Sequence, residues 1–162
     1  VRVYRAWNGG GTVKLVIIDS QYSVPTQTLV AKVQEAVDPL GQQGEGIGLA
    51  PIDHIVTVFG VNEADIDITL NITYQSGWIW ADIEANVLQV IDGYFKELAE
   101  EWAKAQTYEE DHQPVIVRVS QIEYRLLDVP GVLDIGNTQL NGGTSNIELD
   151  KESIPKRGVV IG

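Results

Sequence analysis

The chain contains no cysteine and no methionine, and it has only two histidines and two phenylalanines. Without cysteine there can be no disulfides, thiolate nucleophiles, zinc–thiolate sites or cysteine-held iron–sulfur clusters, a composition that fits a reducing compartment. The two histidines, His54 and His112, are isolated, with no H-x-x-x-H spacing and no nucleophile motif beside them. Metal and triad chemistry built on imidazole therefore has no framework here. No G-x-S-x-G occurs either. No apolar run approaches the ~18 residues that a membrane-spanning helix needs, and no apolar block near the start could act as a secretion signal. Membrane insertion is not expected. With no Met at position 1 and a strand that begins at once, the chain is expected to be a processed or excised piece of a longer protein.

Basic residues are also missing over a long stretch. Between Lys32 and Lys96 there is no Lys or Arg, while ten acidic residues fall there, within a net charge of −12. A nucleic-acid surface needs the opposite, because neutralisation of phosphates by Lys and Arg supplies most of its affinity. Direct binding of DNA or RNA is not expected on that ground. The acidic surface reads as solubilising, with a docking face for a basic partner as the second reading.

What is present is a globular composition, 44% hydrophobic over 162 residues, enough for one sizeable core or two small domains. Val1–Trp7 and Thr12–Asp19 flank an Asn8-Gly9-Gly10-Gly11 turn run and predict a hairpin. Val24-Pro25-Thr26 opens a helix, with Pro25 suited to the first turn. Leu29, Val30, Val33, Ala36 and Val37 form its apolar stripe, and Asp38-Pro39 stops it. A glycine-punctuated connector, Gly41 to Pro51, leads to a strand over His54–Val61. Asn62-Glu63-Ala64 predicts a bend, and Asp65–Tyr74 is a clear period-2 strand with one wet face. The longest helix follows, at about 79–105, on a stripe of Ile79, Ile83, Val87, Val90, Ile91, Tyr94, Phe95, Leu98 and Trp102. Thr107–Gln113 is an acidic loop. Residues 115–127 are ambiguous and favour a short helix with Val119, Ile122, Leu126 and Leu127 inward. Val132–Leu140 and Asn146–Leu149 predict two strands across an Asn141-Gly142-Gly143 turn, with a last short strand at Val159–Ile161. The order points to an α+β fold of mixed, largely antiparallel sheets packed with amphipathic helices. It also points to two small subdomains, 1–62 and 63–162.

Residues that could carry chemistry mostly have a plainer explanation. Gly44-Glu45-Gly46-Ile47-Gly48 superficially matches a phosphate loop, but it follows a helix and enters a strand, the reverse of the required order, and Glu45 would repel phosphate. Asp65 and Asp67 lie on the polar face of a strand. Asp82 and Glu84 lie in a helix's first turn, where acidic residues favour the macrodipole. No catalytic set, cofactor or metal ligand is assigned. Trp78 and Trp80, beside the long helix, suit an interface hot spot. The Gly41–Gly48 loop, with Glu45 and Ile47, and the exposed stripe of the long helix are the other candidate contact surfaces.

Several segments, in order, carry a family resemblance: Gly11-Thr12-Val13 with Val16-Ile17-Ile18; Val33-Gln34-Glu35-Ala36-Val37-Asp38-Pro39; Gly48-Leu49-Ala50-Pro51-Ile52; and Val56-Thr57-Val58. Further along come Ile91, Tyr94, Leu98 and Trp102; Val117–Glu123; Val129–Ile135; Leu140-Asn141-Gly142; Asn146–Leu149; and Ile154-Pro155. Together they resemble the phage baseplate J family, the Mu-type wedge component of phage and prophage tails. The resemblance implies that 1–62 and 63–162 are central and C-terminal subdomains, with the family's N-terminal part missing. It implies a structural subunit rather than an enzyme, with no cofactor, packed against other tail baseplate proteins in a ring around the tail tube. Assembly in a bacterial cytoplasm and residence in the virion would follow. Two rivals are kept: a tail-associated cell-wall polysaccharide hydrolase, and a small-ligand- or metal-binding module using the glycine loop.

Overall fold

A computed structural model describes residues 1–104 and 112–162. The chain divides into two compact units, one of Val1–Asn62 with the described residues of Ala103–Gln113, the other of Glu63–Trp102 with Pro114–Gly162. Its three helices and small, mixed, largely antiparallel sheets make an α+β fold.

In the first unit, β1 (Arg2–Arg5) and β2 (Thr12–Ile17) form the expected antiparallel hairpin, with Arg2 opposite Val16 and Arg5 opposite Val13. The chain then crosses through α1 (Gln27–Val37) to β3 (Ile55–Gly60), which lies parallel to β2 in the order β1-β2-β3. Thr26 caps α1: its side chain accepts from the Leu29 amide at 3.3 Å, satisfying one of the helix's orphan donors. Pro25 therefore stands just outside the first turn, where it packs against Gly60.

The apolar stripe of α1 is only partly used. Leu29 and Ala36 are exposed, Val30, Val33 and Val37 are half-buried, and the buried residue of the helix is Gln34. The reason is the outer edge of β3, whose backbone groups have no neighbouring strand among the described residues. Gln34 Nε2 donates to the Val56 carbonyl at 2.9 Å, Gln34 Oε1 accepts the Val58 amide at 2.8 Å, and Asp38 Oδ2 accepts the Val56 amide at 2.8 Å. Two side chains from the end of α1 thus do what a fourth strand would do, which meets the requirement that buried backbone groups be paired. Of the loop expected at Thr107–Gln113, residues 107–111 lie outside the described residues. His112 is buried, with its ring edge-on to Tyr4 at 5.2 Å.

In the second unit the sheet order is β6-β4-β8, with a separate two-stranded pair β5-β7. The long strand β4 (Asn62–Tyr74) buries Ile66, Ile68 and Leu70 and exposes Asp65, Asp67, Thr69 and Asn71, the alternation its sequence predicts. The bend expected at Asn62-Glu63-Ala64 is instead the start of this strand. Antiparallel β6 (Val132–Leu140) pairs with it. Ile68 faces Leu140 and Asn71 faces Gly136, so β6 gains a residue between those pairs. Asn137, at φ 52°, sits in that irregularity, and asparagine is among the few residues that tolerate the left-handed region. The last strand, β8 (Ser153–Ile161), is longer than expected, and its edge position tolerates Pro155, which has no amide to donate.

The helix α2 (Trp80–Ala103) starts one residue after Ile79 and buries Ile83, Val87, Ile91, Tyr94, Phe95, Leu98, Ala99 and Trp102. β5 (Ile116–Val117) occupies the front of the ambiguous segment, and α3 (Val119–Leu126) follows it. Ile122 and Leu126 point inward, but Leu127 is exposed because the helix has ended. β6 and β7 (Ile147–Glu148) are not partners in a hairpin: β7 pairs with β5. Ion pairs fasten α2 to its neighbours, Glu97 to Arg125 on α3 at 2.7 Å and Asp92 to Arg157 on β8 at 2.6 Å. Hydrogen bonding to Asp92 is the main cause raising the pKa of Arg157, and the bond to Glu63 does the same for Lys156.

Candidate interaction site

The connector from Pro39 to His54 is held as a fixed platform by the end of α1. Asp38 Oδ1 accepts the Gly44 amide at 3.1 Å, and the Leu49 and Ala50 amides donate to the carbonyls of Ala36 and Val37 at 3.1 and 2.8 Å. The Asp53 amide donates back to the Gly44 carbonyl at 2.9 Å, closing the loop on itself. Gly48 makes the closest approach: a β-carbon there would lie 2.3 Å from the Val37 carbonyl oxygen, so the position admits no side chain. Gly44, at φ 81°, turns the chain through a region that suits glycine.

What this platform displays is apolar. Leu49 is 81% exposed, Leu40 71%, Ile52 66% and Ile47 55%. Glu45 is exposed among them. Exposed apolar residues scattered singly are ordinary, but several on one backbone-locked loop have the character of a contact surface. The phosphate-loop alternative has the wrong setting. The amides of Gly44, Glu45, Leu49 and Ala50 are all committed to internal acceptors, and the loop follows a helix C-terminus, the negative end of the dipole.

Trp78 and Trp80 lie in the second unit, on Gln75–Trp80 and the start of α2. Trp78 is 37% exposed and Trp80 half-buried, so each indole shows one face and rests on the other. Both rest on glycine. A β-carbon at Gly131 would fall 2.5 Å from the Trp78 ring and one at Gly162 2.2 Å from the Trp80 ring. Gln75 completes the seat, its amide donating to the Gly131 carbonyl at 2.9 Å and its side chain to the Val132 carbonyl at 3.1 Å. Asp82 Oδ2 accepts the Ile79 amide at 3.0 Å and fixes the entry to α2. Gly131→Ala is expected to destabilise the second unit by about 1–3 kcal/mol, since φ 96° is strained for alanine and Trp78 must move. A red shift in tryptophan emission together with a lower unfolding midpoint checks it; an unchanged spectrum would show that Trp78 does not rest there.

The four expected contact residues thus fall into two places, Glu45 and Ile47 on the first unit's loop and Trp78 and Trp80 on the second unit. Leu40, Leu49 and Ile52 join Ile47 as exposed apolar residues of the connector, and apolar residues set among glycines with no helical or strand period are the sequence signal for them. One carboxylate of each pair serves the backbone: Asp67 Oδ1 accepts the Val159 amide at 2.8 Å, as Asp82 does that of Ile79. Among the described residues no group of three or more His, Cys, Asp or Glu could hold a metal ion, and no helix is long and apolar enough to cross a membrane.

Comparison with known proteins places these features. The Baseplate J-like central domain model matches residues 1–60, and the Baseplate J-like protein C-terminal domain model matches residues 66–161. The chain belongs to the baseplate J-like family. Two Bacillus subtilis (strain 168) relatives agree along nearly its whole length. The phage-like element PBSX protein XkdT is 28% identical over 159 residues, covering 98% of this chain and 42% of the relative. The uncharacterized protein YqbT is 30% identical over 164 residues, covering 99% of this chain and 42% of the relative. This baseplate J-like chain therefore spans under half the length of those relatives, and the connector and the Trp78–Trp80 segment each lie within a matched domain.

Proposed function

We propose that this baseplate J-like chain is a structural part of a phage or prophage tail baseplate, a wedge-type subunit that works by protein–protein assembly and not by turnover. The observation that carries this reading is the pair of baseplate J-like domains lying in tandem over the chain. The name of the PBSX relative supports a prophage setting. In this reading residues 1–62 and 63–162 act as central and C-terminal subdomains, and other baseplate proteins are the partners. Subunits assemble in the bacterial cytoplasm and end in the virion, arranged in a ring. The apolar platform of residues 39–54 and the Trp78–Trp80 ledge are the contact surfaces, with Leu49 and Ile52 as apolar anchors. The net charge of −12 argues against nucleic acid as a partner.

Deleting the gene and inducing particles tests the role directly: electron microscopy should show tails without baseplates, and normal tails would overturn it. The surface is tested by the double substitution Leu49→Ser and Ile52→Ser in the full-length protein. Both side chains are solvent-exposed, so unfolding free energy should change by no more than about 0.5 kcal/mol. Incorporation into particles should fall about tenfold or more, the effect of losing roughly 1.4 kcal/mol or more of binding at a hot spot. Full incorporation would remove the platform from the interface.

A further inference from the structure

We propose that a cleft between α2 and the start of α3 receives a carboxylate side chain, Glu or Asp, from a partner polypeptide. The choice of a polypeptide as its source rests on the assembly reading above; the carboxylate specificity rests on the cleft itself. The cavity has a volume of ≈ 290 Å³, at the small end of ligand sites, which run to about 1,000 Å³, and so holds one side chain better than an extended ligand.

Its lining carries two arginines, Arg118 and Arg125, and two glutamates, Glu97 and Glu101, of which one arginine and one glutamate neutralise each other. On one side Arg125 makes a forked pair with Glu97, at 3.0 and 2.7 Å, which occupies both Glu97 oxygens and two of the three guanidinium nitrogens. The third, Arg125 Nε, is shielded from solvent and has no acceptor. The guanidinium also lies over the Tyr94 ring, 4.9 Å from its centre, so its plane is fixed from two directions. At the mouth, the Arg118 amide donates to the Tyr94 hydroxyl at 3.1 Å, which pins the backbone that carries the Arg118 side chain. That side chain is exposed and, among the described residues, has no ion pair, in a protein where acidic groups outnumber basic ones by 23 to 11. A free arginine held at a cleft rim in so acidic a chain is a ready carboxylate partner, because its planar fork matches the two oxygens. Gln121 adds amide donors to the lining. Glu101, the carboxylate in the lining without an ion pair among the described residues, discriminates: a ligand with two adjacent acids is repelled, while a single acid beside a neutral or basic residue is favoured.

The test uses the ¹⁵N-labelled chain titrated with N-acetyl-glutamate N-methylamide, and with the glutamine analogue as the neutral arm. Saturable shifts are expected at the Arg118 and Gln121 amides and at Arg125 Nε–H, and the glutamine analogue should bind about tenfold more weakly, as loss of a charge-assisted bond predicts. Arg118→Gln should abolish the shifts with unfolding unchanged, and Arg118→Lys should restore part of them. No saturable shift, equal binding of the two analogues, full binding by Arg118→Gln, or shifts spread evenly over all basic residues would each overturn the proposal and leave the baseplate reading intact. In full-length protein, Arg118→Gln should also lower incorporation into particles. Normal incorporation would overturn the polypeptide as the source, whereas normal tails after gene deletion would overturn the baseplate reading instead.

Discussion

Trp102→Ala is expected to destabilise the second unit by roughly 3–5 kcal/mol, the range for deleting a large aromatic side chain from a packed core. Trp102 lies in the last turn of α2 with none of its surface exposed, and its indole N–H donates to the Lys151 carbonyl at 2.9 Å. Truncation removes apolar burial and opens a void, and the surroundings can collapse only partly because interiors are close-packed. Since whole domains hold only about 5–15 kcal/mol, this is a large share of the total. The unfolding midpoint should fall by on the order of 10–20 °C, at about 4 °C per kcal/mol. Trp102→Phe separates the two contributions. It keeps most of the volume and loses the N–H donor, whose carbonyl partner on exposed Lys151 is rehydrated, so the loss should be near about 1 kcal/mol. Urea unfolding measures both. Equal losses for Ala and Phe would show that the hydrogen bond, and not the packing, holds this end of α2.

The elements that a one-dimensional pattern can specify are the ones the sequence reveals. The alternation of Ile66, Ile68 and Leu70 with Asp65, Asp67 and Thr69 reads directly as β4, because a strand's period of two maps apolar residues to one face. The stripe from Ile83 to Trp102 reads as α2 for the corresponding reason at a period of 3.6. Pairing is less visible, because partners lie far apart in the chain. Asn141-Gly142-Gly143 looks like a hairpin turn, and the Leu140 and Gly143 backbones do bridge there. Asn141, however, turns its side chain to β4, accepting from the Asp67 amide at 2.7 Å, and the chain beyond it departs to meet β5. The boundary of α3 is hidden for a similar reason: Ile116 and Val117 are claimed by β7, a partner thirty residues on.

Polar burial is the least legible feature. Gln34 and Asp38 read as the wet side of an amphipathic helix and its stop signal, yet both are buried, because β3, a strand whose edge position the sequence does not announce, needs their oxygens and amide. The candidate surfaces follow the same rule. Trp78, Trp80 and Ile47 stand out by residue type, but that each indole is seated on a glycine, and that the connector is a rigid platform and not a slack loop, depends on backbone contacts across tens of residues.

Asp38→Ala is the substitution in which scaffold and surface meet. The Asp38 carboxylate accepts the buried Val56 amide and the Gly44 amide, so its removal strands one donor in the interior and frees a second nearer to solvent. An unpaired buried donor costs about 1–3 kcal/mol and the partly solvated one less, which gives an expected loss of roughly 2–4 kcal/mol. Asp38→Asn should lose less, since its amide oxygen still accepts one bond while its NH₂ faces the other donor. Hydrogen exchange reports the cause: the Val56 and Gly44 amides should exchange faster in Asp38→Ala than in the native chain, and unchanged protection would rule the account out. The consequence for assembly is separable from stability. Ile17→Ala, a core truncation in the same unit with an expected loss of about 2–5 kcal/mol, leaves the platform's own bonds intact. Measured where both variants remain folded, Asp38→Ala should reduce incorporation into particles well below Ile17→Ala if the platform is the proposed contact surface, because it frees Gly44 and so loosens the Gly44–Asp53 closure that carries Ile47 and Ile52. Equal incorporation would mean that the platform needs only to be exposed, not held.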